Sequence, residues 1–109
     1  MHLLTQGNIF LRVIISRVNI FNVLALKGTS KILRNLLKGD LTYSELSNAV
    51  GHSATTSRAL KALLKLGVIE RRVLNERYRP VLYSLTENGK KLAEIVNMLI
   101  DIEKNLKSK

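Results

Sequence analysis

The clearest local pattern in the chain lies in residues 43–67, YSELSNAVGHSATTSRALKALLKLG. Residues 44–50 predict a short helix, which Gly51 breaks, and residues 53–66 predict a longer helix, which Gly67 closes. Two helices around a tight glycine turn are typical of a helix-turn-helix. In such a pair the second helix is the one that can enter the major groove of DNA.

On a helical wheel, residues 53–66 divide into an anchoring face and a polar face. The anchoring face carries Thr56, Ala59, Leu60, Leu63 and Leu64. The polar face, which is small near the N terminus and cationic further along, carries Ala54, Ser57, Arg58, Lys61 and Lys65. Small residues let a helix approach base edges, and Arg or Lys reaches guanine or phosphate oxygens. For a helix taken alone, an ordinary amphipathic helix with a solvated basic face would be favoured, and it is the distribution of charge along residues 58–79 that favours a DNA-reading helix.

A β-hairpin is predicted next, with strands at residues 68–74 and 79–85 around a turn at 75–78. Pro80 cannot donate to a β-ladder, so we expect the return strand to be an edge near the turn. The alternation of Ser84 with apolar neighbours indicates a strand with one buried face. The charge supports a role for this region. From Arg58 to Arg79 there are seven basic and two acidic residues, against five and four from Glu87 to Lys109.

Three further helices are predicted on either side of this region. Residues 8–26 have apolar side chains at helical spacing, with Asn8 as the cap and Gly28 as the end, although many β-branched residues leave a strand open. Residues 30–38 form a helix capped by Thr29 or Ser30. The last helix, capped by Thr86, has apolar residues at spacings of three and four over two heptads.

Composition narrows the function classes. The chain has 109 residues and a formal net charge of +10, which indicates an anionic partner, nucleic acid before an acidic membrane surface. It contains no cysteine and only His2 and His52 as histidines, so we expect no metal and no cofactor. We interpret His52 as a turn residue or a weak phosphate contact. The lack of cysteine agrees with the cytoplasmic location that we predict. No nucleophile–base pair, carboxylate cluster or phosphate loop is visible, so we predict that the protein is not an enzyme.

Four segments together carry a family resemblance: LTYSEL at residues 41–46, ATTSRALKAL at 54–63, GVIER at 67–71 and YSLTENGK at 83–90. In their order and spacing they resemble the winged-helix regulators of the MarR, ArsR and HxlR families. The resemblance covers about two thirds of the chain. It implies a three-helix core with a β-hairpin wing, a recognition helix, a wing tip near the minor groove or its phosphates, and a dimer built from the flanking helices.

The chain also departs from these families. Metal-sensing ArsR members carry a Cys-x-Cys pair where Thr42, Tyr43 and Ser44 stand here. HxlR-like sensors often carry a reactive cysteine near the N terminus, and this sequence has no cysteine. The resemblance therefore leaves the effector unknown.

The predicted fold is mainly helical with a small hairpin (α+β), a winged helix-turn-helix core at residues 29–86 between dimerisation helices at 1–28 and 87–109. The predicted DNA contacts are Ser53, Ala54, Thr55, Ser57, Arg58, Lys61 and Lys65 on the recognition helix and Arg72, Arg77, Tyr78 and Arg79 on the hairpin. The predicted dimer contacts are Phe10, Ile14, Val18, Phe21, Leu92, Ile95, Val96, Leu99, Ile102 and Leu106.

The leading hypothesis is a homodimeric transcriptional regulator that binds double-stranded DNA. A less specific architectural or chromatin protein would use the same fold, and one sequence does not separate specific from nonspecific binding. A third class is an interaction module, in which the winged helix binds protein or residues 8–26 bind membrane. Arg12, Arg17, Asn19 and Asn22 interrupt that apolar segment, so we expect no membrane span.

Overall fold

The computed structural model describes residues 19–74, 77 and 81–108. The helices in this part of the chain are α1 (Ile20–Ala25), α2 (Thr29–Leu36), α3 (Tyr43–Val50), α4 (Ser53–Leu66) and α5 (Glu87–Lys107). The strands β1 (Ile69–Val73) and β2 (Val81–Leu85) pair antiparallel. The predicted fold class, mostly helical with one antiparallel hairpin, is confirmed.

Helix α1 corrects the prediction of one continuous helix over residues 8–26. Asn19 is extended, with φ −106° and ψ 165°, and its side chain accepts a hydrogen bond from the Asn22 amide at 2.9 Å. Asparagine side chains compete with the backbone in this way and so favour helix caps over helix interiors. The helix ends at Ala25, and Gly28 serves instead as the N-cap of α2. The predicted interface residues Phe10, Ile14 and Val18 lie outside the described residues.

Thr29 joins α1 to α2 and is not the cap that the sequence predicts. It is the first residue of α2, and its side chain is fully buried. Its hydroxyl oxygen lies 2.9 Å from the carbonyl oxygens of both Val23 and Leu26, which share its one proton. A buried hydroxyl with partners of this kind fixes the direction in which the chain leaves α1.

Local caps set the ends of the helix-turn-helix: α4 has its predicted bounds, and α3 begins at Tyr43, one residue earlier than predicted. Thr42 and Glu45 form a capping box before α3: the Thr42 hydroxyl accepts from the Glu45 amide, and the Glu45 carboxylate accepts from the Thr42 amide. Gly51 ends α3. His52 caps α4 through Nδ1, which accepts from the Thr55 amide at 3.3 Å. Within the described ranges, no group of three or more potential metal ligands comes together.

The hairpin differs from its prediction in how its second strand is buried. Tyr83 of β2 pairs with Arg71 of β1 on one side and with Leu41 on the other, through hydrogen bonds of 2.8 and 3.1 Å to Leu41. The strand therefore has a neighbour on both sides at Tyr83, whereas the edge predicted near the turn falls at Pro80, outside the described residues. Ser84 is buried together with its neighbours on β2, so the one-sided burial that alternation predicts is not found.

A shared hydrophobic core receives side chains from every helix and both strands. Leu92 and Val96, predicted as dimer contacts, belong to this core and are only 7% and 3% exposed. Their assignment to an external interface is therefore corrected: the chain's own core uses this part of the apolar stripe. In the first turn of α5, Gly89 packs closely against Val68, the residue before β1. A Cβ atom on residue 89 would lie 1.8 Å from the Val68 carbonyl oxygen.

Candidate nucleic-acid interface

Helix α4 presents two chemically different sides, as its sequence predicts. Thr56, Ala59, Leu60 and Leu63 are buried, whereas Leu64 is only partly so. Of the predicted DNA contacts on this helix, Thr55 is half-buried and the others are exposed, namely Ser53, Ala54, Ser57, Arg58, Lys61 and Lys65. The exposed side therefore begins with short side chains and becomes cationic towards the C terminus.

Tyr43 of α3 holds the first turns of α4 in place. Its hydroxyl lies 3.0 Å from the carbonyl oxygen of Ser53, to which it donates, and 2.7 Å from the hydroxyl of Ser57. A tyrosine has one hydroxyl proton, so when it donates to Ser53 the Ser57 hydroxyl is the donor in the second bond. Ser57, predicted to contact DNA, thus also belongs to the contact between the two helices, which its position in the sequence does not reveal.

The cationic side chains of α4 border a cleft against α1. Arg58, Lys61 and Lys65 line it together with Ala62, and Asn22, Val23 and Leu26 form the opposite wall. Its volume is about 490 Å³. The cleft leaves the three cationic groups next to open solvent, where they are free to approach an anion.

On the hairpin, the predicted contacts have different surroundings. Arg72 forms an ion pair with Asp40 at 2.5 Å, and both side chains are partly exposed. Thirty-two positions separate the two residues, so no local pattern reveals this pair. Arg77 is exposed, whereas Tyr78 and Arg79 lie outside the described residues. Arg71, on the same strand as Arg72, lies 5.9 Å from the centre of the Tyr83 ring, in cation–π contact.

A second exposed surface, away from the polar side of α4, is apolar. We call it the α5 apolar face, and it consists of Ile95, Met98, Leu99, Ile102 and Leu106. Leu99 is 52% exposed and Leu106, two turns further along, is 68% exposed, and a contiguous row of exposed apolar side chains is typical of an interaction surface. Phe21 of α1 is 84% exposed. Of the predicted dimer contacts within the described ranges, only Leu92 and Val96 are thus buried.

No helix in the described ranges is long and apolar enough to cross a membrane.

Solved structures of DNA-binding proteins resemble this fold. The reduced form of the transcriptional regulator YodB from B. subtilis is 25% identical, with a TM-score of 0.66 over 74% of this chain and 81% of that one. An apo mutant of ZitR from Lactococcus lactis is 26% identical, with a TM-score of 0.62 over 99% and 78%. Sso10a-2, a DNA-binding protein from Sulfolobus solfataricus, is 25% identical, with a TM-score of 0.64 over 77% and 85%.

The family comparison covers the same elements. No curated protein matches the sequence. The model of the HxlR-like helix-turn-helix family matches residues 23–109, which include α2 to α5 and the hairpin. Because this match spans most of the chain and agrees with the geometry of α3, α4 and the hairpin, the chain belongs to the HxlR-like helix-turn-helix family.

Proposed function

We propose that the chain is a dimeric DNA-binding transcriptional regulator, with α4 in the major groove and the hairpin tip at residues 75–79 on the minor groove or its phosphates. The observation that carries this proposal is the exposed side of α4, which is small at Ala54 and cationic at Arg58 and Lys61. Family membership supports DNA as the partner, and the resemblance to the regulator YodB supports a role in transcription.

The geometry of α4 suggests a division of labour. Ala54 and Thr55 lie in the first turn, where a short side chain permits close approach to base edges. Arg58 and Lys61 lie one and two turns further along, within reach of bases or phosphates. The His52 cap leaves Nδ1 occupied by the Thr55 amide, so a phosphate contact by this ring would use Nε2.

A second copy of the chain is the proposed partner for the α5 apolar face. Leaving this row of large apolar side chains in water would be an aggregation liability. Pairing across a two-fold axis buries the same surface on both copies. Two α4 helices could then meet successive major grooves about 34 Å apart, on a roughly palindromic site.

The decisive experiment selects bound fragments from random DNA and then measures affinity for the selected site at several salt concentrations. A dimer that contacts about 6–10 phosphates should lose about 10³–10⁵ in affinity between 50 and 200 mM salt. Failure to enrich any DNA, or an affinity that hardly changes with salt, would contradict the proposal.

A less specific architectural DNA-binding protein is the second candidate. The similarity to Sso10a-2, a DNA-binding protein, supports DNA binding and does not distinguish the two candidates. Competition separates the two functions: a specific regulator should prefer its selected site over bulk DNA by about 10³ or more. Equal competition by bulk DNA and by the selected site would favour the architectural function.

A further inference from the structure

Four exposed cationic residues lie on α2 and its two ends, on a surface that none of the predicted contacts includes. We call them the α2 basic stripe: Lys27, Lys31, Arg34 and Lys38. Lys31 and Arg34 lie three positions apart on one side of α2, whereas Lys27 precedes the helix and Lys38 follows it. Residues 19–39 contain no aspartate or glutamate, and in the described part of the chain no stripe residue forms an ion pair.

Two neighbouring clefts connect this stripe to the helix-turn-helix. The first, of about 680 Å³, is lined by Lys27 and Lys31 together with Gly51, His52 and Thr55 at the start of α4. The second, of about 380 Å³, is lined by Lys31, Arg34 and Lys38 together with polar or small groups, Asn35, Ala49 and Asn97. Because Lys31 borders both clefts, the cationic surface is continuous from the N terminus of α4 to the far end of α2.

The surroundings of the stripe leave its charges unneutralised. The guanidinium of Arg34 donates to the Asn97 side chain at 2.9 Å, which fixes its position without removing its charge. Glu94 and Asp101 lie on the same helix as Asn97, but in the described residues neither forms an ion pair with the stripe. An excess of like charge on one helix destabilises the fold unless an anion balances it.

We propose that the α2 basic stripe binds the backbone phosphates of DNA that flanks the segment under α4. The rise of an α-helix separates Lys31 from Lys38 by about 10 Å, which corresponds to about three base-pair steps along the DNA axis. Each protomer would then contact a longer piece of DNA than the recognition helix and hairpin alone require. This inference rests on the proposed function, because it extends the same DNA-binding surface.

The test compares Lys31→Gln/Lys38→Gln with a charge-matched control, Lys90→Gln/Lys104→Gln, whose lysines are exposed on α5. Each phosphate contact contributes about threefold to the fall in affinity between 50 and 200 mM salt. Removing two phosphate-binding lysines from each protomer of a dimer should therefore reduce that salt response about a hundredfold, whereas the control should keep the wild-type response. Melting curves of both variants should match the wild type, since all four lysines are exposed.

A second measurement uses duplex length. Wild-type protein should bind a duplex extended by about 10 base pairs on each side of the selected site more tightly than one that ends at the site. The stripe variant should lose this gain. If it keeps both the gain and the wild-type salt response, the stripe inference is wrong while the proposed function stands.

Other outcomes separate the alternatives. If the wild type binds no DNA, the proposed function fails and the inference fails with it. If the stripe variant binds DNA normally but no longer binds vesicles of phosphatidylserine and phosphatidylcholine, the stripe is a membrane surface, and the DNA inference is overturned.

Discussion

Helices α4 and α5 pack against the same core, but the exposed side of α4 is polar and cationic whereas that of α5 is apolar. Ala59 and Leu63 of α4 and Ala93 and Val96 of α5 are all buried in this core. Outside, α4 exposes small and cationic side chains, whereas α5 exposes a row of large apolar ones. A charged exposed side is soluble by itself and attracts anions, but a continuous apolar exposed side calls for another protein surface.

The difference shows that amphipathic periodicity alone does not say what a helix does. Both helices have the three-and-four spacing of an amphipathic helix, and in both the core covers only part of the wheel. What remains outside distinguishes them: we propose that α4 offers a face for nucleic acid and α5 a face for a second copy of the chain. These two assignments are proposals, and each can be broken separately.

Of the changes considered, we expect Leu99→Glu, at the centre of the α5 apolar face, to have the largest effect, which is on the stability of the dimer. In a dimer this change would bury an unpaired carboxylate, which costs about 3–5 kcal/mol, enough to weaken the dimer at least a hundredfold. Sedimentation should show a dimeric wild type and a monomeric variant. DNA affinity should fall as well, although no predicted DNA contact is altered.

Lys104→Glu is the matched control, because it introduces the same side chain on the exposed polar side of α5. It should remain dimeric. A wild-type protein that is monomeric at micromolar concentration and binds its site at full strength would show that the α5 apolar face serves another partner.

The next largest effect, on the stability of the fold, is expected where the C-terminal end of α4 contacts the N-terminal end of α5. The Thr86 hydroxyl donates to the Gly67 carbonyl at 2.9 Å, and Gly89 faces the Val68 carbonyl with no room for a Cβ. Gly89→Ala should lower the free energy of unfolding by about 3 kcal/mol, the upper end for overpacking, because backbone must move. Denaturant unfolding measures this loss.

Gly67→Ala is the comparison at the other side of the junction. Gly67 has φ +85° with open space around it. An alanine there would have a strained backbone, but its Cβ atom would not clash with a neighbour. We expect a smaller loss of about 1–2 kcal/mol. If the two variants lose equal stability, the close approach at Gly89 is not what ties α5 to the hairpin.

Local signals account for what the sequence predicts well. The breaks at Gly51 and Gly67 and the Thr86 cap act within a few residues, so the ends of α3 and α4 and the start of α5 follow from the sequence. The polar side of α4 follows from its periodicity in the same way.

Contacts between residues that are distant in the sequence account for the features that the sequence does not predict. The Arg72–Asp40 ion pair, the Leu41–Tyr83 bridge and the Tyr43–Ser57 contact depend on which elements become neighbours. Periodicity also shows that α5 has an apolar stripe, but not that the chain's own core takes Leu92 and Val96 and leaves Leu99 outside. The sequence also hides the Asn19 cap, because apolar residues on both sides suggest an unbroken helix.

A moderate effect is expected from Arg58→Ala on the polar side of α4. Loss of one base contact should cost about 1–3 kcal/mol and relax the preference at particular bases. Arg77→Ala, on the hairpin, should instead weaken binding to all sequences alike if it contacts only phosphate. Binding to a panel of single-base variants of the site distinguishes the two. Uniform losses from both changes would favour the architectural function.

The smallest effect is expected from Tyr43→Phe, which tests how α4 is held. The change removes the hydroxyl that joins Ser53 and Ser57 but keeps the ring. The Ser53 carbonyl still accepts its helical hydrogen bond, so the loss should be about 0.5–1.5 kcal/mol. A double-mutant cycle with Ser57→Ala isolates the hydroxyl pair, and unfolding of the four proteins should give a positive coupling energy. Additive losses would mean that the two hydroxyls do not interact in solution. Ser57 is also a predicted DNA contact. Tyr43→Phe should therefore shift the base preference at positions near the start of α4 in the same direction as Ser57→Ala does. Leu99→Glu should leave that base preference unchanged.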